Sequence, residues 1–358
     1  MLSYEVTEHG KPLQVRLRET PKPTGTEVVV RITHSGVCHS DVHLWHGYFD
    51  LGEGKRAYLK DRGLNPPLTL GHEPLGIVEA VGPDAQGVAV GDRRVVYPWI
   101  GCGKCWACDE GLSTLCAAPR NLGIAMPGAF ATHLLVPDPK YLVDVSGIDH
   151  AFAATLACSG VTCYSAIAKA IPQMRADDWI AVIGCGGLGL LAISMLKGLG
   201  FRNIVACDID DGKLDAAKAQ GAALTVRSDR PEAHDALHQA TAGRLAGAID
   251  FVGMPATFHL PYSVLRKGGT YVLVGLHGGE MALPMPPVAQ RSIAIVGSFV
   301  GTLSDLHGVV ELAKAGKLQA PPITIKAPGE ISGILEDLDQ HRGVGRTVLD
   351  FTHTQEHA

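Results

Sequence analysis

A glycine-rich turn between an apolar strand and an apolar helix restricts the fold of this chain more than any other stretch. Residues 180–183 are apolar and typical of a buried strand, and the sequence GCGGLG follows directly at 184–189. Apolar residues then recur at helical spacing over 191–199, and Gly200 can end the helix. The order strand, tight turn and helix predicts the start of a βαβ unit, and therefore a parallel sheet.

An acidic residue at the end of the next predicted strand indicates what this turn binds. Asp208 lies nineteen residues after Gly189. Gly184 permits the tight turn, Gly186 lets the backbone approach a diphosphate, and Gly189 lets the helix pack on the strand, while the helix N-terminus favours negative charge. A carboxylate at this distance accepts hydrogen bonds from both ribose hydroxyls and repels a 2′-phosphate, which predicts NAD rather than NADP. The alternative is that Asp208 only caps the helix around 213–219.

The chain on either side of this turn predicts two domains of different character, as its length of 358 residues also suggests. Short alternating segments separated by Gly and Pro over 13–77 indicate a β-rich domain. Strand and helix patterns alternate after the turn and predict a doubly wound parallel sheet. The alternation at 345–350 suggests a strand that returns to the first domain. The predicted strands are 224–226, 248–252, 270–274 and 293–296; the predicted helices are 232–240 and 257–265; the proline-rich 284–287 is predicted to be a connection.

Four clustered cysteines predict a structural metal site. They follow the spacing C-x2-C-x2-C-x7-C, which allows four thiolates to surround one zinc ion: Cys102, Cys105, Cys108 and Cys116. Four protein ligands leave no open position, so we expect this zinc to hold a loop together and to do no chemistry. An iron–sulfur cluster is the competing use of such a group, although ferredoxin-like runs have other spacings.

A second set of potential ligands is dispersed along the chain. Cys38, His72 and Cys158 can supply two thiolates and an imidazole to one zinc ion, with a fourth position open for chemistry. The alternative for an isolated cysteine is a small buried apolar residue.

Composition and charge favour a folded protein that acts on a small molecule. Hydrophobic residues are 46% and charged residues 19% of the chain, and the net charge is −5. The absence of basic clusters argues against a nucleic acid or an anionic membrane as partner. The odd number of nine cysteines and the polar start of the chain predict a reducing cytoplasm. The run 179–201 has one charge and the length of a membrane span, but its glycines favour a strand followed by a buried helix.

The motifs, in this order along the whole chain, resemble those of the zinc-dependent medium-chain alcohol dehydrogenases. The similarity rests on Gly71-His72-Glu73, the cluster at 38–41, the four-cysteine lobe, Cys158 and the glycine-rich turn. It implies an α/β fold with a β-rich, GroES-like catalytic domain formed by 1–152 and 299–358, and a Rossmann NAD-binding domain at 153–298. It also implies reversible oxidation of a primary or secondary alcohol by hydride transfer to NAD, with two zinc ions per chain.

The resemblance assigns roles to individual residues. Cys38, His72 and Cys158 match the catalytic zinc ligands, and Glu73 matches a carboxylate that can approach the metal during ligand exchange. Asp41 matches the acid behind His72 and fixes its tautomer. Ser40 and His43 match a proton relay to solvent. The residues implied in cofactor binding are His39, Thr162, Gly184, Gly186, Gly187, Leu188, Gly189, Asp208, Lys213, Val274, Leu276, Ser298, Val300 and Arg346, with His39 and Arg346 at the diphosphate.

The substrate is left open by the sequence. Trp45 and Trp99 match positions that line the family's substrate pocket, which makes medium-sized apolar or aromatic alcohols plausible. The aromatic segment 45–67 is expected to be an ordered loop beside the pocket. Its residues 47–52 are similar to bacterial members that oxidise ω-hydroxy acids such as 6-hydroxyhexanoate.

Other functions compete with this interpretation. Polyol dehydrogenases of the family commonly place Glu at the third ligand position and often lack the cysteine lobe, and zinc-free quinone or enoyl reductases do not need the three ligands. A dinucleotide-binding sensor is the non-enzyme alternative, since the fold alone does not imply catalysis. The resemblance also implies an oligomer, a tetramer rather than a dimer, with a contact at 296–300.

Overall fold

The computed structural model describes residues 1–175 and 177–354. Its strands, numbered in chain order, are β1 Leu2–Val6, β2 Gln14–Leu17, β3 Val28–Val37, β4 Tyr48–Gly52, β5 Lys55–Tyr58, β6 Leu68–Thr69, β7 Pro74–Val81, β8 Arg93–Val96, β9 His133–Val136, β10 Leu142–Asp144, β11 Trp179–Ile183, β12 Ile204–Asp208, β13 Leu224–Arg227, β14 Leu245–Asp250, β15 Thr270–Leu273, β16 Ala294–Gly297, β17 Ile323–Lys326 and β18 Arg346–Asp350.

The α-helices are α1 His39–His46, α2 Trp106–Asp109, α3 His150–Thr155, α4 Val161–Ala170, α5 Gly187–Gly198, α6 Asp211–Gln220, α7 Ala233–Thr241, α8 Pro255–Val264, α9 Met285–Gln290, α10 Leu303–Lys314 and α11 Ile331–Asp339. A π-helical turn, Leu156–Gly160, joins α3 to α4. Such turns are rare and occur frequently at functional sites.

The second half of the chain forms a six-stranded parallel sheet in the order β13-β12-β11-β14-β15-β16. The strand order reverses between β11 and β14. Such sheets bind ligands in the crevice at the carboxyl ends of the strands at this switch point. Every strand of this sheet lies within 179–297. The predicted doubly wound parallel sheet is therefore confirmed.

The β-rich part is organised around β3, the longest strand. The order in its sheet is β10-β8-β7-β3-β18-β17, and β9 also pairs with β3. Residue Thr347 of β18 lies opposite Val37, and Pro74 of β7 lies opposite Ser35. The predicted return of the chain end to this sheet is confirmed, and it brings together the end of β3, the start of β7 and the start of β18.

One helical stretch, His150–Ala170, is long and apolar enough to cross a membrane, but 89% of its most apolar window is buried inside the protein. It comprises α3, the π-turn and α4, and α4 packs against α5 and α10. The other apolar run, 179–201, divides into β11 and α5 as its glycines predicted.

Two segments differ from the expectations. The run 45–67 contains the hairpin β4–β5 and a 3-10 turn at Leu59–Arg62, where the sequence shows no periodicity. The proline-rich 284–287 is not only a connection, because α9 begins at Met285 with Pro in its first turn, where a missing N–H costs nothing.

Candidate active site

Three buried ligand groups meet between the two sheets. The sulfurs of Cys38 and Cys158 and an imidazole nitrogen of His72 lie within 4.8 Å of one another. Cys38 lies between β3 and α1, His72 lies just before β7, and Cys158 lies in the π-turn. Nε2 of His72 is completely buried and has no hydrogen-bond partner among the described residues. An orphaned nitrogen beside two thiols fits a bound metal ion with one position left open.

Among the three groups, the pKa shifts favour the metal-binding form at Cys38 alone, while Cys158 and His72 hold their protons more tightly and would release them to a bound metal. The hydrogen bond from the Cys158 thiol, together with nearby His72, holds the pKa of Cys38 well below its usual value against the opposing effect of burial. The same hydrogen bond and burial raise the pKa of Cys158. Burial disfavours a charged His72, but Asp41 and Cys38 raise its pKa well above the usual value. One thiolate is thus already favoured, and thiolates are the form that binds zinc.

Asp41 connects the ligand segments. Its Oδ2 accepts from the backbone N–H of Cys38 at 3.0 Å, and its Oδ1 accepts from the N–H of Gly71 at 3.2 Å. The same Oδ1 lies 3.1 Å from Nδ1 of His72, and the carboxylate is fully buried. A carboxylate behind a ligating histidine fixes its ring orientation and tautomer, which leaves Nε2 for the metal.

A buried ion pair lies behind the ligands. Nη2 of Arg346 lies 2.5 Å from both carboxylate oxygens of Glu73, and Ser159 donates to Oε1 at 3.3 Å. Burial raises the pKa of Glu73 to about 7, although Arg346 opposes the shift. A Cβ on Gly36 would lie 1.7 Å from Oε2 of Glu73, so only glycine fits there. The carboxylate is therefore built closely into the site.

Arg346 also reaches the glycine-rich turn. A Cβ on Gly187 would lie 2.2 Å from Cδ of Arg346, which shows that the arginine side chain packs on the first turn of α5. Nε of Arg346 is buried and has no hydrogen-bond partner among the described residues. A guanidinium with a free N–H beside a helix N-terminus suits a phosphate group.

Asp208 is fixed beside this turn. Its Oδ2 accepts from the N–H of Cys185 at 2.6 Å, and its Oδ1 accepts from Ile209 and Asp210. The residue that caps α6 is Asp210, which accepts from the N–H of Lys213. The alternative in which Asp208 caps that helix is therefore wrong, and its carboxylate lies at the end of β12 next to the turn.

The remaining predicted cofactor residues lie at the same edge of the sheet. Val274 and Leu276 follow β15, and Ser298 and Val300 follow β16, at the carboxyl ends of parallel strands. Thr162 lies in the first turn of α4, and its buried Oγ1 has no hydrogen-bond partner within the described part of the chain. The carboxyl ends of the strands at the switch point are where such a sheet places a nucleotide.

Four histidines, which we call the histidine cluster, lie beside the metal ligands: His39, His43, His277 and His341. The His39 ring lies 5.2, 5.7 and 5.7 Å from the rings of His43, His277 and His341, and the last two are 4.9 Å apart. Burial, with His39 and His277, lowers the pKa of His43 to about 4. His277 and His341 were not expected from the sequence, where each is an isolated histidine.

The apolar wall of the site differs from the prediction. Trp99 lies 5.3 Å from the His72 ring and 5.9 Å from Phe299, and its Nε1 donates to Ala157. Trp45 instead packs in the other hydrophobic core, with its Nε1 donating to Lys11, and so does not join Trp99. Phe49 of the hairpin lies 5.0 Å from His43. The only indication in the sequence that Phe49 lies near the site was the aromatic content of the segment 45–67.

The four-cysteine lobe forms the second compact ligand group. All four sulfurs lie within 4.8 Å of one another. The backbone N–H of Cys102 donates to the sulfur of Cys116 at 3.2 Å, and this bond lowers the pKa of Cys116 to about 7. A second N–H, that of Gly103, donates to Cys108. Four sulfurs with N–H donors fit a closed tetrahedral zinc site.

Comparisons with known proteins agree with this geometry. The family model described as alcohol dehydrogenase GroES-like domain matches residues 24–147, and the one described as zinc-binding dehydrogenase matches 187–315. The NAD-dependent alcohol dehydrogenase of Sulfurisphaera tokodaii is 37% identical over 351 residues, which are 98% of this chain and 99% of that protein.

Two solved structures share the fold over nearly the whole chain. The alcohol dehydrogenase of the archaeon Aeropyrum pernix has a TM-score of 0.88 and 31% identity, and covers 98% of this chain and 100% of its own. The thermostable alcohol dehydrogenase of Pyrobaculum aerophilum, solved with cobalt and zinc bound, has a TM-score of 0.82 and 27% identity, and covers 98% and 99%.

Proposed function

Because the chain belongs to the zinc-dependent medium-chain alcohol dehydrogenases, we propose that Cys38, His72 and Cys158 form its catalytic zinc centre. The protein is an NAD-dependent alcohol dehydrogenase. It oxidises an alcohol reversibly to an aldehyde or ketone: the carbinol hydride passes to NAD, and the hydroxyl proton passes to solvent. The observation that carries the assignment is the buried group of three ligand atoms with the orphaned Nε2 of His72.

The residues around this centre hold and orient the reacting groups. Zinc, when bound, supplies a Lewis acid for the alcohol oxygen, and NAD supplies the hydride acceptor. Asp41 holds the His72 ring, so that Nε2 keeps its direction. Trp99 packs on that ring and, with Phe49 and Phe299, excludes water from the alcohol carbon. Glu73, held by Arg346 behind the ligands, is the carboxylate assigned to ligand exchange.

The proton path follows one face of α1. Ser40 lies two residues after Cys38, and His43 lies one turn later on the same helix. We assign proton acceptance to Oγ of Ser40 and transfer towards solvent to His43. The pKa of His43, lowered to about 4, keeps its imidazole neutral at physiological pH, so a proton that arrives at one ring nitrogen is passed on from the other and is not held.

The cofactor lies along the carboxyl edge of the parallel sheet. The N–H groups at the start of α5 and the guanidinium of Arg346 face the diphosphate, and His39 adds a third donor. The carboxylate of Asp208 accepts hydrogen bonds from the ribose hydroxyls. Lys213, Val274, Leu276, Ser298 and Val300 complete the cofactor set, with Thr162 at the nicotinamide.

The domain division follows the sheets. We assign 1–152 and 299–358 to the catalytic domain and 153–298 to the NAD-binding domain. The pairing of β18 with β3 and of β17 with β18 supports this division, because it joins the chain end to the first sheet.

Medium-sized apolar or aromatic alcohols are the proposed substrates. The supporting observation is the aromatic surface near the ligand group, where Trp99 lies against His72 and Phe299, and Phe49 lies against His43. A panel of short primary, secondary, benzylic and ω-hydroxy-acid alcohols tests this proposal. Highest kcat/KM for an ω-hydroxy acid would replace it with the alternative substrate class.

We also assign the protein to the cytoplasm as a homotetramer. Ile295 and Phe299, at and beyond the terminal strand β16, are 40% and 50% exposed and give an apolar edge for a second chain. Light scattering after size exclusion tests the assembly, since a tetramer has four chain masses rather than two.

The catalytic centre is tested by one substitution and a matched control. Cys38→Ser is expected to lower turnover by more than about 100-fold, the upper end of the effect of losing a residue behind a ligand, while NADH binding followed by fluorescence is retained. Cys163→Ser is the control, because Cys163 is equally buried in α4 and its bond to the Leu188 carbonyl can be made by a hydroxyl. Wild-type turnover in Cys38→Ser would refute the assignment.

A further inference from the structure

Two members of the histidine cluster have no role in the function proposed above. His277 follows β15 in the NAD-binding domain, and His341 follows α11 in the catalytic domain. Their rings are 4.9 Å apart, and each lies 5.7 Å from the ring of His39. Three imidazoles from three separate segments therefore meet at the cleft between the domains.

The backbone at His341 adopts a conformation that a residue with a side chain rarely adopts. His341 has a φ of +56°, and its N–H donates to Leu338 at the end of α11. Glycine is the residue that favours this left-handed position after a helix. A histidine there carries strain, and such strain is concentrated at binding and active sites. Its ring is stacked on His39 with an interplanar angle of 13°.

His277 lies at the edge of the sheet that receives the cofactor. Its N–H donates to Val252, at the carboxyl end of β14, at 3.1 Å. The neighbouring Gly278 packs on the hairpin of the catalytic domain, since a Cβ there would lie 2.4 Å from the carbonyl oxygen of Asp50. His277 is thus held between the switch point of the parallel sheet and the hairpin of the catalytic domain.

The cluster offers donors to an anion. Nε2 of His39 is buried and has no hydrogen-bond partner among the described residues. The charged or titratable groups facing these rings are the thiol of Cys38, the carboxylates of Asp50 and Asp339, and the other imidazoles of the cluster. Among the described residues, only two sets of three or more side chains bring their ligand atoms within 4.8 Å of one another, the three catalytic ligands and the four-cysteine lobe. The histidine cluster is therefore not a compact metal site. Imidazole N–H groups at the rim of a cleft can donate to an anion that binds there, and the unpartnered Nε2 of His39 is the first such group.

We propose that His277 and His341 bind the diphosphate bridge of NAD, and that with His39 they form an anion site to which both domains contribute. The inference rests on NAD being the cofactor. Arg346, which follows His341 by five residues, packs on the turn that receives the diphosphate, so the segment that carries His341 also supplies a residue to that turn. A diphosphate held by His277 on one domain and His341 on the other also ties the domains together.

The test uses the holoenzyme and the variants His277→Asn and His341→Gly. NADH binding is followed by fluorescence, and ADP-ribose, inorganic diphosphate and adenosine are titrated as competitors. Each variant is expected to raise the Kd of NADH and of ADP-ribose about tenfold, as the loss of a bond to a charged group predicts. Adenosine should bind unchanged. The KM for NAD should rise while kcat stays within about twofold.

His341→Gly separates binding from folding. Glycine relieves the left-handed backbone, so the thermal midpoint should stay equal or rise while ADP-ribose affinity falls. His238→Asn, on the exposed face of α7, is the matched control and should change neither quantity.

Unchanged ADP-ribose affinity in both variants would overturn the proposal. An equal loss of adenosine binding would also overturn it, because the effect would then not belong to the diphosphate. A wild-type protein that binds neither NADH nor ADP-ribose would instead contradict the use of NAD itself.

Discussion

Asp41 is the residue whose replacement gives the sharpest prediction for the metal centre. Its two oxygens accept from the N–H groups of Cys38 and Gly71, and one of them faces His72 Nδ1. In Asp41→Asn one oxygen remains, and an NH₂ group must face a backbone N–H. One hydrogen bond to a charged acceptor is lost, at about 1.5–3 kcal/mol, and one buried donor is left unsatisfied, at about 1–3 kcal/mol. We expect a net loss of about 3 kcal/mol.

The two observables follow from this value. At about 2.1 cal/mol/K per residue, the 358 residues unfold with an entropy of about 0.75 kcal/mol/K, so that the midpoint falls by about 4 °C. Loss of the carboxylate behind His72 should also weaken zinc binding by about 10- to 100-fold. Thermal unfolding and competition with a zinc chelator measure the two effects. Metal analysis should find that the zinc content falls from two ions per chain to one.

The control for this substitution is Asp84→Asn, an exposed carboxylate on the same domain. It should change neither the midpoint nor the zinc content. Two zinc ions retained by Asp41→Asn after chelator dialysis, with wild-type turnover, would refute the argument that Asp41 positions the ligand.

Three further predictions concern the lobe, the cofactor and the substrate. Cys116→Ser should remove one zinc ion and lower the thermal midpoint while NADH binding persists, and metal analysis with fluorescence titration checks this. Asp208→Asn loses the charge and keeps one oxygen, either for the N–H of Cys185 or for those of Ile209 and Asp210. Loss of the charge should raise the ratio of kcat/KM for NADP to that for NAD at least about tenfold; an unchanged ratio would contradict this role. Phe49→Ala removes the ring beside His43, and kcat/KM for benzylic alcohols should fall about 5- to 30-fold, as expected for about 1–2 kcal/mol of lost apolar contact, with little change for ethanol.

The parts of the fold that the sequence predicted are those encoded in short stretches. The glycine-rich turn, the strand before it and the helix after it lie within 179–198 and match β11 and α5. The four cysteines of the lobe lie close together in the chain, so their spacing alone limits the geometry. In both cases local chemistry and local structure agree, and little depends on tertiary contacts.

Other features of the site could not be predicted, because they depend on contacts between distant parts of the chain. Trp45 was assigned to the pocket, but α1 turns Val42, Leu44 and Trp45 towards the core and leaves His39 and His43 half-buried at the site. Which face of a short helix meets the core is decided by the sheet beneath it, and a weakly amphipathic sequence does not reveal it. His277 and His341 were missed because two isolated histidines give no sequence signal until the two domains bring them together.

The return of the chain end to the first sheet explains why the metal centre and the cofactor turn share one side chain. β18 pairs with β3, which positions Arg346 beside the end of β3 and the start of β7. Its guanidinium holds Glu73 behind the metal ligands, and its methylene groups pack on Gly187 at the start of α5. Gly36 and Gly187 leave no room for a Cβ at these contacts, so Arg346 and Glu73 lie in close contact with both segments. One arginine therefore connects the cofactor turn to the carboxylate behind the metal ligands, which helps to bring a bound alcohol and NAD into the relative position that hydride transfer requires.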